Sequence, residues 1–221
     1  MRAFRLRREC YREGLNEPLA VRGSLQSCNE LGMMYFLGRG VAQSDSLAAQ
    51  AYRRACDGGN AEGCGSLGLM YGHGLGVPQN DSLAAQLDRR ACDGGFYTSC
   101  IPLGTYYEEG RGVAQSDSLA AQAYRRACDS AVYLGCLRVG VMYLEGRGVP
   151  ASDTLAAQSF RLACDHREPS GTGPLQDSCE YLDVMQNNRA RIRELQRLCE
   201  RPQEWACRIL RTVANRRRAP Q

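Results

Sequence analysis

An all-α solenoid, disulfide-stapled and built from about four full 36-residue helix-pair repeats plus partial terminal units, is predicted by three features of the sequence. Cys28, Cys64, Cys100 and Cys136 stand 36 residues apart, and so do Cys56, Cys92, Cys128 and Cys164. The segment VAQSDSLAAQAYRRACD occurs twice without a change, at 41–57 and 113–129. Within each unit the apolar residues keep helical spacing, with Leu31 and Tyr35 four apart on one face.

Residues 1–24 read as a partial leading unit and a loop, and 25–165 as the four repeats. In each repeat a first helix begins near its leading cysteine and runs through L-G-x-M/Y-Y, at 31–35, 67–71, 103–107 and 139–143. The glycine inside this motif (Gly32, Gly68, Gly104, Gly140) costs about 1 kcal/mol against alanine in a helix. Its return in every unit predicts a helix crossing too close for a side chain. The G-x-G-V segments at 38–41, 74–77, 110–113 and 146–149 then end the helix, since glycine readily takes positive φ. A Ser/Asn-Asp pair at 44–45, 80–81, 116–117 and 152–153 supplies an N-cap for a second, alanine-rich helix. Ser46, Ser82 and Ser118 recur with these helix starts and read as first-turn residues. In the first unit the second helix stops at Gly58-Gly59. Residues 166–175 read as an inserted loop, and 176–221 as a shortened repeat with a basic C-terminal capping helix, because the G-x-G-V loop is missing there.

The cysteines follow from this layout. Cys56 closes one second helix and Cys64 opens the next first helix, so a tight antiparallel turn brings the sulfurs within bonding range. The pairs predicted are Cys56–Cys64, Cys92–Cys100 and Cys128–Cys136, with Cys10–Cys28 and Cys164–Cys179 closing longer turns and Cys199–Cys207 at the C-terminal end. Twelve cysteines then form six pairs. Structural zinc asks for C-x₂₋₄-C knuckles or Cys/His clusters. Here the cysteines are wider apart and only His73 and His166 exist, so no metal site is expected.

Composition excludes several chemistries. All 28 basic residues are arginine, which rules out a lysine Schiff base, a P-loop lysine and the Ser-x-x-Lys pair. No cofactor is implied. No stretch approaches the roughly 18 apolar residues of a membrane span. The basic start MRAFRLRREC has no apolar segment after it, as a signal peptide would. Net charge is +4 overall, but +4 falls on residues 1–12 and +7 on 189–218, leaving −7 between them. The Arg-rich termini suit an anionic partner; no nucleic-acid motif accompanies them, and the arginines lack interleaved aromatics.

The pattern L-G-x-x-Y-x-x-G-x-G-V-x-x-(S/N)-D, followed by an alanine-rich helix ending in A-C-D, resembles the Sel-1-like repeat. With a cysteine pair in each unit, the chain is similar to the Helicobacter cysteine-rich protein family, closely over 25–165 and loosely at both ends. The resemblance implies a monomeric, disulfide-clamped scaffold or adaptor for a protein or peptide, non-enzymatic, and periplasmic or secreted. It also implies two alternatives. Members carry a β-lactam-binding or weak β-lactamase label, although no catalytic set can be assembled from these residues. A cysteine-rich assembly factor of the mitochondrial intermembrane space, another oxidising compartment, shares the pattern.

A binding surface is predicted where first-helix positions vary between repeats. One, five and eight residues after each leading cysteine stand Asn29, Met33 and Phe36; Gly65, Leu69 and Gly72; Ile101, Thr105 and Glu108; and Leu137, Val141 and Leu144. These offsets share a helix face, apolar for an exposed one, and suit an extended peptide or a helix. The constant positions Leu31, Leu67, Leu103 and Val139 are expected in the core, with Tyr35, Tyr71, Tyr107 and Tyr143. Glu108, Glu109, Glu145 and Asp183 read as solvated charge, and His73 as the cap of a helix end.

Overall fold

The computed structural model describes residues 2–10, 18–166, 176–186, 207 and 209–214. They fall into two compact units, Met1–Gln115 and Ser116–Gln221. The first holds α1 (Arg2–Cys10), α2 (Pro18–Leu37), α3 (Asp45–Asp57), α4 (Ala61–His73), α5 (Asp81–Asp93) and, after a 3-10 turn at Tyr97–Ser99, α6 (Cys100–Glu109). The second holds α7 (Asp117–Asp129), α8 (Tyr133–Glu145), α9 (Asp153–Asp165), α10 (Gln176–Met185) and helical residues 209–214. Among the described residues every regular element is helical. Within each unit, consecutive helices pack on one another. The fold class is the predicted α/α repeat. One boundary differs: α2 begins at Pro18, ten residues before Cys28, so part of the expected leading loop is helix. Proline at a first helical turn is well tolerated there. Of the expected inserted loop at 166–175 all but His166 lies outside the described residues, as do Cys199 and most of the expected C-terminal capping segment.

The capping expectations hold in atomic detail. Side chains of Ser44, Asn80, Ser116 and Ser152 accept from the backbone N–H of Leu47, Leu83, Leu119 and Leu155 at 3.3, 3.0, 3.3 and 3.2 Å. Each cap contributes about 1 kcal/mol, and the Asp that follows adds charge suited to the helix N-terminus. Gly74, Gly110 and Gly146 end the first helices in the left-handed region, their N–H groups returning to the carbonyls of Met70, Tyr106 and Met142. Two of the four crossing glycines are as crowded as predicted, and Gly68 is less so, with Asp88 Oδ1 3.1 Å from where its Cβ would stand. A Cβ on Gly32 would stand 2.6 Å from the Tyr52 ring, and one on Gly140 would stand 2.7 Å from Phe160. Burial pushes the Tyr52 phenol up to about 12, so this ring is neutral packing material.

Three kinds of stitch join one repeat to the next. At one end are the disulfides: Cys10–Cys28, Cys56–Cys64, Cys92–Cys100, Cys128–Cys136 and Cys164–Cys179, with Cα separations of 4.6, 4.4, 5.1, 4.5 and 4.9 Å. In the middle, Arg53, Arg89 and Arg125 donate to the hydroxyls of Tyr71, Tyr107 and Tyr143 on the following first helix, with each guanidinium also over that ring. At the other end, the last three of the four G-x-G loops hook onto the start of the preceding second helix: Gly76 lies against Asp45–Ser46, Gly112 against Asp81–Ser82 and Gly148 against Asp117–Ser118.

The residue between those two glycines tunes the hook. Arg111 binds both oxygens of Asp81, at 3.2 and 3.0 Å, and Arg147 reaches Asp117 at 3.5 Å. The second repeat has Leu75 instead; the Oδ1 of Asp45 is buried there without a hydrogen-bond partner, as is the Oδ1 of Asp117, whose contact with Arg147 is an ion pair at 3.5 Å. Arg111→Leu, which copies that arrangement, is expected to cost no more than about 1 kcal/mol, because the Arg111–Asp81 pair is partly exposed. Chemical denaturation at low and high salt checks this, the loss shrinking as salt rises.

Candidate functional site

The first helix of each repeat is held on most of its circumference. Second helices α3, α5 and α9 cover one side of α2, α4 and α8, and disulfide, hook and Arg–Tyr contacts bring neighbouring repeats of the same unit against others. What remains open is a narrow line. In the first unit it runs along α2 through Gln26, Met33 and Leu37 and along α4 through Leu69 and His73, all exposed. On α6 it continues as half-buried Thr105 and exposed Glu109. In the second unit α8 shows Arg138 and Glu145, with Val141 half-buried between them.

Of the residues predicted for a binding face, the structure therefore exposes the middle offset. Met33 is 40% and Leu69 is 48% exposed, and Thr105 and Val141 are half-buried. The outer offsets turn inward. Asn29, Leu137 and Leu144 are buried and cannot line an exposed stripe. Phe36 packs partly buried against the core formed by α3, α4 and α5. Ile101 and Glu108 are half-buried. Gly65 and Gly72 show why: a Cβ on Gly65 would meet Ser99 and Phe96, and one on Gly72 would meet the Tyr106 hydroxyl. Those offsets point into the seam with the next repeat. The open face is rotated about the same helix, keeping the central position and exchanging the flanking ones. Leu37, Gln26 and Arg138 are consequently missed by sequence reasoning. Their signal was an i, i+4, i+7, i+11 spacing centred on Met33 and its equivalents rather than beginning at the cysteine.

The constant positions behave as core. Leu31, Leu67, Leu103 and Val139 are buried, as are Tyr107 and Tyr143, while Tyr35 and Tyr71 are partly covered. His73 ends α4 with Nδ1 at 3.0 Å from the Leu69 carbonyl oxygen, the capping role expected of it. Two of the four acidic residues singled out sit in surface ion pairs, Glu109 with Arg111 at 3.5 Å and Glu145 with Arg147 at 2.6 Å. At the basic N-terminus Arg2 reaches Glu30 at 3.1 Å and Arg5 reaches Glu9 at 2.7 Å. The bonds from Arg5 and then Ser27 hold the Glu9 carboxyl below its usual range. Among the described residues no group of three or more His, Cys, Asp or Glu is placed to hold a metal ion. No described helix is long and apolar enough to cross a membrane.

One buried group stands apart. Asp88 of α5 occupies the position held by Tyr52, Tyr124 and Phe160 in the other repeats and is only 2% exposed. Burial pushes its carboxyl up to about 7, with a hydrogen bond to Ser99 opposing the shift. A single Asp in an alanine-rich helix carries no sequence mark of burial beyond its register with those aromatics.

The repeat geometry defines a helical-repeat protein whose stacked units are clasped by disulfides. The Sel1 repeat family matches at residues 25–60, 61–96, 99–132 and 134–167, and the chain belongs to that family. Proteins of this family are generally interaction scaffolds. No match is found among curated protein sequences. Among solved structures, a Sel1 repeat protein from Oxalobacter formigenes is 24% identical, covering 82% of this chain and 73% of that one with a TM-score of 0.67. A protective antigen of uropathogenic Escherichia coli strains displaying an SLR fold is 23% identical, covering 97% of this chain but 53% of its own, also at 0.67. These likenesses concern the fold. Helicobacter pylori cysteine rich protein B is 29% identical over 60% of this chain and 96% of that one, with a TM-score of 0.46.

Proposed function

We propose that this chain is a non-enzymatic scaffold that binds a protein or peptide along the open line of its first helices, in an oxidising compartment outside the cytoplasm, the periplasm or the secreted space. The observation that carries the reading is the apolar line Met33, Leu37 and Leu69 in the first unit. These side chains lie exposed on helices otherwise packed on most sides. Exposed leucine and methionine grouped on adjacent helices suit a partner's apolar side chains. The compartment is supported by the five disulfides, because thiols in a reducing cytosol stay unpaired.

Peptides selected from a displayed library on the oxidised protein test it. Met33→Asp with Leu69→Asp is expected to weaken the selected peptides at least tenfold, while Leu83→Asp, also at an exposed leucine but on a second helix, leaves them bound. Both variants should keep the wild-type melting curve, since the replaced side chains are exposed. Equal binding to all three proteins would place the partner elsewhere, with the Arg-rich termini and an anionic ligand as the next surface to examine.

A further inference from the structure

Two exchanges break the repeat pattern at one seam of the first unit. The ring that seals the second helix against the glycine of its own first helix (Tyr52 on Gly32, Phe160 on Gly140) is replaced in α5 by Asp88, whose Oδ1 lies 3.1 Å from where a Cβ on Gly68 would stand. At the matching position of the first helices, Met34, Met70 and Met142 give way in α6 to Tyr106. Tyr106 is buried against Ala84 and Ala85, and its hydroxyl lies 2.5 Å from where a Gly72 Cβ would be. The seam thus loses a ring from α5 and gains one from α6, packed beside Gly72, and the new ring brings a phenol near the carboxyl. Ser99, in the turn before α6, hydrogen-bonds that carboxyl.

The groups around Asp88 give it no positive partner among the described residues. From α4 Gly68 faces it. From the α6 side come Ser99 and Tyr106, and around the Tyr106 phenol stand Asp81, Glu109 and Arg111, the last engaged with Asp81. On α5 itself Arg89 donates to Tyr107 and Arg90 to the Cys56 carbonyl. A buried carboxyl with a hydroxyl for company and no cation is most stable neutral.

We propose that Asp88 makes the seam between α5 and α6 a joint that tightens in acid and loosens toward neutral pH, the carboxyl being held protonated while the seam is closed and ionising when it opens to water. This joint does not depend on what the open face binds. The direction follows from linkage. In the closed seam burial holds the carboxyl up at about 7, against about 3.9 for an open one. A raised folded value means the stabilisation is complete below the open-state value, falls as pH rises through the interval, and is gone once pH passes about 7. Tyr106 is also pushed upward, by burial first and then by Asp88, away from this interval.

Carbon-13 titration of the Asp88 carboxyl in the wild-type protein is the direct measurement. A midpoint near neutrality supports the joint, and one in the ordinary carboxylate range overturns it. Hydrogen exchange of α5 and α6 amides, corrected for intrinsic rates, then tests the consequence. The opening constant of the wild type, relative to Asp88→Asn, should rise about fiftyfold between pH 5 and pH 7, steeply at first and levelling off toward the Asp88 midpoint. The double variant Asp88→Tyr, Tyr106→Met, which restores the pattern of the other repeats, should lack that slope as well. If either variant keeps the wild-type pH dependence, Asp88 is not the group responsible. Should Asp88→Asn fail to fold, the wild-type titration and the double variant decide between the outcomes.

Discussion

Alkylation of the denatured but unreduced protein is expected to modify none of its twelve cysteines, and Cys56→Ser with Cys64→Ser to lower stability by about 2.5 kcal/mol. The estimate comes from the entropy of closing a loop of about nine residues in the unfolded chain. The structure gives a reason why that loss matters here. The second helices meet their neighbours through methyl groups: Ala48, Ala51 and Ala55 in α3, Ala84 and Ala91 in α5 and Ala120 and Ala127 in α7 are all fully buried. A buried methyl group stabilises by well under the roughly 1.5–3 kcal/mol of a buried leucine or phenylalanine. Alanine allows helices to approach closely, but it leaves each repeat with little apolar area removed from water. The disulfides offset this by restricting the unfolded chain. Removing Cys128 and Cys136 should therefore cost about as much as removing Cys56 and Cys64. Reduction of all pairs should abolish the cooperative melt near room temperature. Twelve modified thiols in protein prepared under oxidising conditions would defeat the staple and leave the cysteines as packing residues.

Periodicity made most of the architecture legible before any coordinates. The helix pairs, the caps at Ser44, Asn80, Ser116 and Ser152, the crowded glycines at 32 and 140, and five cysteine pairs all depend on contacts local in sequence or repeated every 36 residues. The sixth pair, Cys199–Cys207, falls on residues of which one lies outside the described set. The binding face was legible only at its centre. Met33 and Leu69 are exposed, but Asn29, Leu137 and Leu144 are buried, because the orientation of a first helix is set by the repeat that follows it. No window within one helix reports which way the next repeat lies. Asp88 was overlooked for a related reason. It is buried between Gly68 of α4 and Ser99 of the turn before α6, surroundings that its own helix does not display.

The hook between repeats leads to the other large expected effect. Gly112→Ala should destabilise the first unit by about 3 kcal/mol, whereas Gly110→Ala, two residues earlier in the same loop, should cost only about 1 kcal/mol. Both glycines have positive φ, 69° at Gly110 and 67° at Gly112, so the alanine pays a similar conformational penalty at either site, about 1–2 kcal/mol less what it gains by restricting the unfolded chain. Their surroundings separate them. A Cβ on Gly110 would meet the Gln115 Cβ at 3.2 Å, a tight contact that a shift of a few tenths of an ångström within the same loop relieves. A Cβ on Gly112 would overlap the backbone between Asp81 and Ser82, at the capped start of α5, where Asn80 and the Arg111–Asp81 pair already fix the chain. Such an overlap can be relieved only by lifting the loop off the preceding repeat, at an overpacking cost of about 1–3 kcal/mol. Gly76 and Gly148 make the same approach, so alanine there should repeat the result. Urea denaturation of the two alanine variants side by side measures the difference. Equal losses at 110 and 112 would show that backbone conformation alone makes the motif glycine-rich, and that the hook contributes nothing to holding one repeat on the next.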